Sequence, residues 1–364
     1  MLTDGALRRS SGDDAFEDAP ALLTVDTLVP YLHRAGVLEE ATVAAGGLRS
    51  EGVPRRHQNL RLTRPDGTGF FVKQADPLAV GGHQSVAAEG RFYASMSLVR
   101  PELGGLAPEL VRYDAPRGAV VLRLLADHRT LRELIAAEGD LRFPIRAWHR
   151  LGELLARVHR TTVGDPSPVR PFLEKFDPAP AVLAGIGPAA LRVFEVVQTS
   201  GLREGLASAA DLWAPEAFVH GDVRIDNVMI ARDATGDDVR LVDWELSGRG
   251  DPMWDLAGCL EAAITASWGR LGATELCLPV MQSASRASWQ AYQAHGGVAP
   301  RDRSDSAIRV TMYAAARLVL AALESAERSR DLTGHAIGYL QVAHNILADP
   351  AAAATDLFAL EGVA

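Results

Sequence analysis

The segment His220-Gly221-Asp222-Val223-Arg224-Ile225-Asp226-Asn227 sets an aspartate five residues before an asparagine, and Asp243 follows sixteen residues later, in Asp243-Trp244-Glu245. These residue types are the ones phosphoryl transfer requires. One carboxylate orients an attacking hydroxyl, and an amide oxygen and a second carboxylate hold Mg²⁺ on nucleotide phosphates. The residues between Asn227 and Asp243 read as strand, polar turn and strand: Val228-Met229-Ile230-Ala231, then Asp233 to Asp238, then Val239 to Val242. A hairpin carrying the two oxygen ligands at its two ends brings them to one place.

Other elements must position this set. Thr24 to Leu38 has helical periodicity with Asp26 as a candidate N-cap. Asn59 to Thr63, the turn Pro65-Asp66-Gly67-Thr68-Gly69, and Phe70 to Lys73 predict a hairpin with Lys73 near the end of its second strand. Ser85 to Leu98 reads as a helix containing Glu89, and Leu110 to Tyr113 with Ala119 to Leu125 as a second hairpin. Asp127 to Thr130 is a polar break expected to be a hinge. Beyond it the chain reads as helical. Leu131–Glu138 is followed by Pro144–Thr161, with Leu151, Leu154, Leu155 and Val158 on one face, then by a proline-rich loop or lid over 163–180. After Asp251 come helices over 253–270, 275–295, 305–328 and 335–348. The expected domains are an N-terminal arm, disordered over residues 1–20, a nucleotide-binding lobe over 21–125, and a lobe over 126–364 carrying the catalytic loop and acceptor-binding helices.

Bulk properties bound the function. The chain has 364 residues, is 48% hydrophobic and carries a net charge of −9, which argues against a general nucleic-acid binder. The sequence shows no obvious unbroken apolar run of membrane-spanning length and no apolar signal-peptide core, so no membrane partner is expected. Two cysteines, Cys259 and Cys277, fit a reducing cytoplasm better than a disulfide framework. Only Lys73 and Lys175 among the 37 basic residues are lysines, so a lysine kept near the end of a strand suggests that a compact ammonium is wanted there.

The run HGDVRIDN, the DWE that follows and Gly250-Asp251-Pro252-Met253-Trp254-Asp255-Leu256-Ala257 resemble the aminoglycoside phosphotransferase and choline kinase-like family over roughly residues 40 to 345. The resemblance implies an α+β, bilobal protein-kinase-like fold with a small β-rich N-lobe and a larger, mostly helical C-lobe. It implies ATP (or GTP) and Mg²⁺ as cofactors. Asp222 would orient the acceptor hydroxyl and take its proton; Asn227 and Asp243 would bind the metal. Glu245 would help bind a second metal or its water, or else form a surface ion pair. Lys73 would contact the α and β phosphates with Glu89 as its helix partner. Ser50, His57 and Asn59 stand where the family places its nucleotide loop, and backbone groups near Arg123 to Leu125 would meet the base. Arg224 has two roles open: contacting the transferring phosphoryl group, or pairing with Asp226 or a substrate carboxylate. His220 would brace the catalytic loop, and Asp255 would accept hydrogen bonds from its backbone.

The expected acceptor is a small-molecule hydroxyl, on a metabolite or an antibiotic. One alternative is Ser or Thr on a biosynthetic precursor peptide, with a partner lyase; another is a nucleotide-binding pseudokinase scaffold. Antibiotic-modifying relatives line their pockets with carboxylates. Here Glu261, Glu324, Glu327, Asp302 and Asp305 are interleaved with Arg301, Arg303, Arg309, Arg317, Arg328 and Arg330, a mixed pattern that weakens the polycation reading.

Overall fold

The structure is a computed structural model. It describes residues 21–54, 57–77, 82–99, 105–137, 145–161, 168–169, 176, 185–232, 236–271, 277–298, 302–327 and 329–358. The arm over 1–20 and most of the proline-rich segment lie outside these residues. The chain divides into two compact units: the described residues up to Ala94 with Glu109–Ala126, and Ser95–Pro108 with the chain from Asp127 onward. Ser95–Pro108 joins the second unit in part through a hydrogen bond from Leu241 N to Leu106 O at 2.8 Å.

The first unit holds α1 (Val25–Arg34), α2 (Glu40–Ala45) and a five-stranded antiparallel sheet. Its strands are β1 (Arg49–Pro54), β2 (Gln58–Thr63), β3 (Gly69–Gln74), β4 (Leu110–Asp114) and β5 (Ala119–Arg123), in the order β1-β2-β3-β5-β4. Helix α3 (Gly82–Val99) carries Glu89. One face of the sheet buries Leu60, Leu62, Phe70, Val72 and Val121 against Leu28, Tyr31 and Leu32 of α1. The N-cap of α1 is Thr24 and not Asp26. Thr24 and Thr27 satisfy each other's backbone N–H groups reciprocally, which leaves Asp26 as a first-turn acid.

The second unit begins with β6 (His128–Thr130). The polar break over Asp127–Thr130 stands where the chain passes from the first unit to the second, and its last three residues form this strand, paired antiparallel with β8 (Val228–Ala231), which also pairs β9 (Val239–Leu241). Helices α4 (Leu131–Ala137) and α5 (Ile145–His159) follow, then α6 (Pro188–Thr199) and α7 (Leu202–Asp211). Strand β7 (Ala217–Val219) pairs β10 (Gly248–Gly250) on either side of the β8–β9 hairpin. The chain ends in α8 (Pro252–Leu271), α9 (Cys277–Ala294), α10 (Arg303–Glu327), α11 (Gly334–Ala348) and α12 (Pro350–Phe358). The expected apolar face of α5 is buried throughout. Gly152 on that face takes a close approach: a Cβ there would lie 2.1 Å from Ser288 O of α9. Helix α10 is long and apolar enough by composition to cross a membrane, but 72% of that stretch is buried in the chain, which marks it as a core helix.

Candidate active site

In the first unit, Lys73 and Glu89 form an ion pair at 2.9 Å, with side-chain exposures of 7% and 2%. Lys73 pairs across the sheet with Asn59 of β2 and Val120 of β5. Asn59 is buried, and its Oδ1 has no hydrogen-bond partner among the described residues. A buried amide oxygen without a donor on the strand neighbouring Lys73 suits a ligand that brings its own donors. Ser50 does not stand in a loop: it lies on β1, paired with Leu62. Leu125 follows β5 directly, where Leu124 N extends the pairing to Gly69 O. Breaking a buried ion pair by removing one partner costs about 3–5 kcal/mol because the other charge is left uncompensated. Glu89→Ala is expected to destabilise the chain on that scale in urea unfolding, and the double variant Lys73→Met/Glu89→Leu to recover most of the loss without recovering nucleotide affinity.

In the second unit, the hairpin register brings the two expected oxygen ligands, Asn227 and Asp243, toward one another. Val228 pairs with Leu241, and Val242 N continues the ladder to Asn227 O at 3.0 Å. Asn227 thus ends one strand beside the chain entering Asp243. The Asn227 amide donates through Nδ2 to Asp222 O at 2.9 Å and to Asp222 Oδ2 at 3.0 Å. Both donor contacts fall on Asp222, so the amide is oriented with Oδ1 as its remaining group, an oxygen donor suited to a hard cation. Asp243 has φ 68° and ψ 62°, the one left-handed non-glycine residue among those described. Such a conformation costs about 1–3 kcal/mol and gathers at functional sites. Glu245 lies half-buried in the 3₁₀ turn that Asp243 caps.

The catalytic loop is held from three directions. His220 is fully enclosed; Nδ1 accepts from Asp222 N at 3.2 Å and Nε2 donates to Val242 O at 3.0 Å. This fixes the neutral tautomer, and burial holds the imidazole below its ordinary range. The ring links the backbone of Asp222 to the residue before Asp243. Asp255, also enclosed, accepts from His220 N at 2.7 Å and Gly221 N at 2.9 Å. His159, at the end of α5, adds Nε2 at 3.1 Å from Asp255 Oδ2 and is itself hydrogen-bonded to Tyr292 at 2.8 Å. Gly221 has φ 83°, and a Cβ there would meet Leu246 O at 2.4 Å, so only glycine passes that corner. Trp254 Nε1 donates to Gly221 O at 2.9 Å. Asp251 ties the next layer, accepting from Met253 N, Ala214 N and Tyr313 Oη.

Although burial opposes ionisation of Asp255, the hydrogen bond and charge of His159 outweigh it and lower the carboxyl below the ordinary 3.8. A depressed carboxyl contributes stability that is complete above its unfolded value and is lost as pH falls through its folded value. Wild type is therefore expected to lose this contribution below pH 3.8, and Asp255→Asn to show a flatter acid limb in urea unfolding.

Arg224 lies on neither Asp222 nor open solvent. Its Nη2 and Nη1 fork onto Glu324 of α10 at 2.8 and 3.3 Å, and its Nε is 3.9 Å from Asp226. Burial works against its charge, but Glu324 and Asp222 hold the guanidinium firmly protonated. Asp226 is gripped by both Nε and Nη2 of Arg132 on α4. Neither His159 nor Glu324 is marked by the motif, because each reaches the loop from a distant part of the chain.

The profile of the phosphotransferase enzyme family matches residues 54–295. The chain belongs to that family. It is a phosphotransferase with the α+β architecture of protein-kinase-like enzymes. No curated protein sequence matches it. Among solved structures, the choline kinase LicA from Streptococcus pneumoniae, in its complex with AMP, is 17% identical with TM-score 0.51 over 88% of this chain and 98% of that one. Plasmodium vivax ethanolamine kinase is 10% identical with TM-score 0.57 over 92% of this chain and 91% of that one. At these identities the likeness is one of fold.

Proposed function

We propose that this phosphotransferase is an ATP- and Mg²⁺-dependent cytoplasmic kinase that moves the γ-phosphoryl group to a hydroxyl of a small metabolite or antibiotic. The knitted set Asp222–Asn227–Asp243 carries this reading: Asn227 bonds both the backbone and the carboxylate of Asp222, and its own carbonyl accepts from the residue before Asp243. Asn227 Oδ1, Asp243 and Glu245 offer the oxygen ligands a magnesium ion prefers. When bound, that ion would neutralise charge on the nucleotide phosphates. Lys73, held by Glu89, would supply its ammonium to phosphate oxygens. Asp222 accepts the hydrogen bond of the acceptor hydroxyl, fixes its attack direction and takes its proton as the new O–P bond forms and the bond from the γ-phosphorus to the β–γ bridging oxygen breaks, releasing ADP. His220 and Asp255 keep Asp222 in place and move no proton.

The reading is tested by incubating the protein with Mg²⁺ and ATP or GTP against hydroxylated metabolites, antibiotics and precursor peptides, with mass spectrometry of each acceptor. A small molecule gaining one phosphate is the expected result. Phosphate on the peptides alone would move the acceptor class to Ser or Thr side chains.

A further inference from the structure

Resting on the kinase reading, we infer that the acceptor is a hydroxyl compound carrying at most one positive charge, selected by hydrogen bonding and not by carboxylate–ammonium contacts. Apart from Asp255, which is enclosed and meets His159, and the proposed metal ligands Asp243 and Glu245, the acids grouped about the catalytic loop in the second unit are Glu261 on α8, Glu324 on α10 and Asp226 in the loop itself. Each has a guanidinium. Glu324 is forked by Arg224, Glu261 lies 3.7 Å from Arg317, and Asp226 is held by Arg132. Three acids thus meet three arginines, and the remaining acid of the cluster, Asp222, shares the field of the Arg224 guanidinium.

The arginines are not easily turned aside. Arg317 is 7% exposed, donates through Nη2 to Val223 O of the catalytic loop, and lies 4.9 Å over the Trp254 ring. Arg224 sits in the combined field of Glu324, Asp222 and Glu261. Glu261 is also a poor ammonium partner on its own account: burial raises its carboxyl, against the pull of Arg317 and Arg224. A polyamine reaching this cluster would have to compete with guanidinium groups already paired, while losing its own hydration. A neutral polyol meets no such competition, and its hydroxyls can both donate and accept.

Binding of a tetra-ammonium aminocyclitol to the full chain at low salt tests the inference by calorimetry. Wild type is expected to show no salt-sensitive binding. Arg224→Gln leaves Glu324 without its forked partner and should tighten binding by about tenfold or more at low salt. The gain should vanish in Arg224→Gln/Glu324→Gln. Micromolar, salt-sensitive binding by wild type, or its phosphorylation of the aminocyclitol, overturns the inference even if the variants fail to fold. A folded Arg224→Gln with no gain overturns it as well. Transfer to no acceptor of any charge would instead remove the kinase reading.

Discussion

Asp222→Asn is expected to slow phosphoryl transfer by about 10²–10⁴-fold, the range a positioned acid–base group contributes. The substitution keeps the shape of a half-buried side chain and leaves an oxygen to accept from Asn227 Nδ2. Stability should therefore stay within about 0.5 kcal/mol of wild type, as for substitutions that create no cavity and orphan no group. In the proposed mechanism Asp222 acts on the acceptor and not on the nucleotide, so the loss should appear in kcat while nucleotide affinity is unchanged. Acceptor phosphorylation rates, nucleotide titration and urea unfolding of the two proteins check the three parts. A variant within tenfold of wild type would remove Asp222 from the chemistry.

Asp243→Asn should be nearly as severe, for a different reason. In the proposed site Asp243 would hold a metal ion whose charge stabilisation is worth several kcal/mol, and about 4 kcal/mol is about 10³ in rate. Asparagine is the informative substitution because it tolerates the left-handed backbone at φ 68°. Asp243→Ala would add roughly 1–2 kcal/mol of backbone cost and confuse stability with chemistry. The Asn variant should fold normally and need far more Mg²⁺ for half-maximal rate, a shift that raising the metal concentration partly reverses. Asn227→Ala should share the metal phenotype and also loosen Asp222, which loses the Nδ2 contact. An unchanged Mg²⁺ requirement in both variants would show that the ligands lie elsewhere.

The grouping of the candidate site was more legible in the sequence than its supports. Asn227 and Asp243 flank one hairpin and Asp222 lies in the loop just before it, so local spacing and a strand–turn–strand pattern were enough to bring them together. Lys73 and Glu89 were legible for a similar reason, one on a clear strand and the other on the following helix. The face of α5 could be read because a single helix repeats its apolar positions. What escaped was set by pairing over long distances. His159 meets Asp255 across 96 residues, and Arg224 meets Glu324 across 100; no periodicity links such positions. Strand β1, with Gly52 and Pro54 in six residues, has poor strand propensity, yet it pairs with β2 along its whole length as the edge of the sheet. The polar triplet His128–Thr130 likewise reads as a break, but β8 supplies the partner backbone that makes it a strand. Thr24 displaced Asp26 as the cap because Thr27 could reciprocate.

The central claim is that this chain transfers phosphate through Asp222. The most direct measurement is ADP release coupled to mass spectrometry of the acceptor, run in parallel on wild type and Asp222→Ala with Mg²⁺, ATP and a hydroxylated small-molecule panel. Wild type should release ADP and add one phosphate to an acceptor, and Asp222→Ala should bind nucleotide as tightly and do neither. A wild type that binds nucleotide but transfers to no acceptor, or an Asp222→Ala protein as active as wild type, would contradict it.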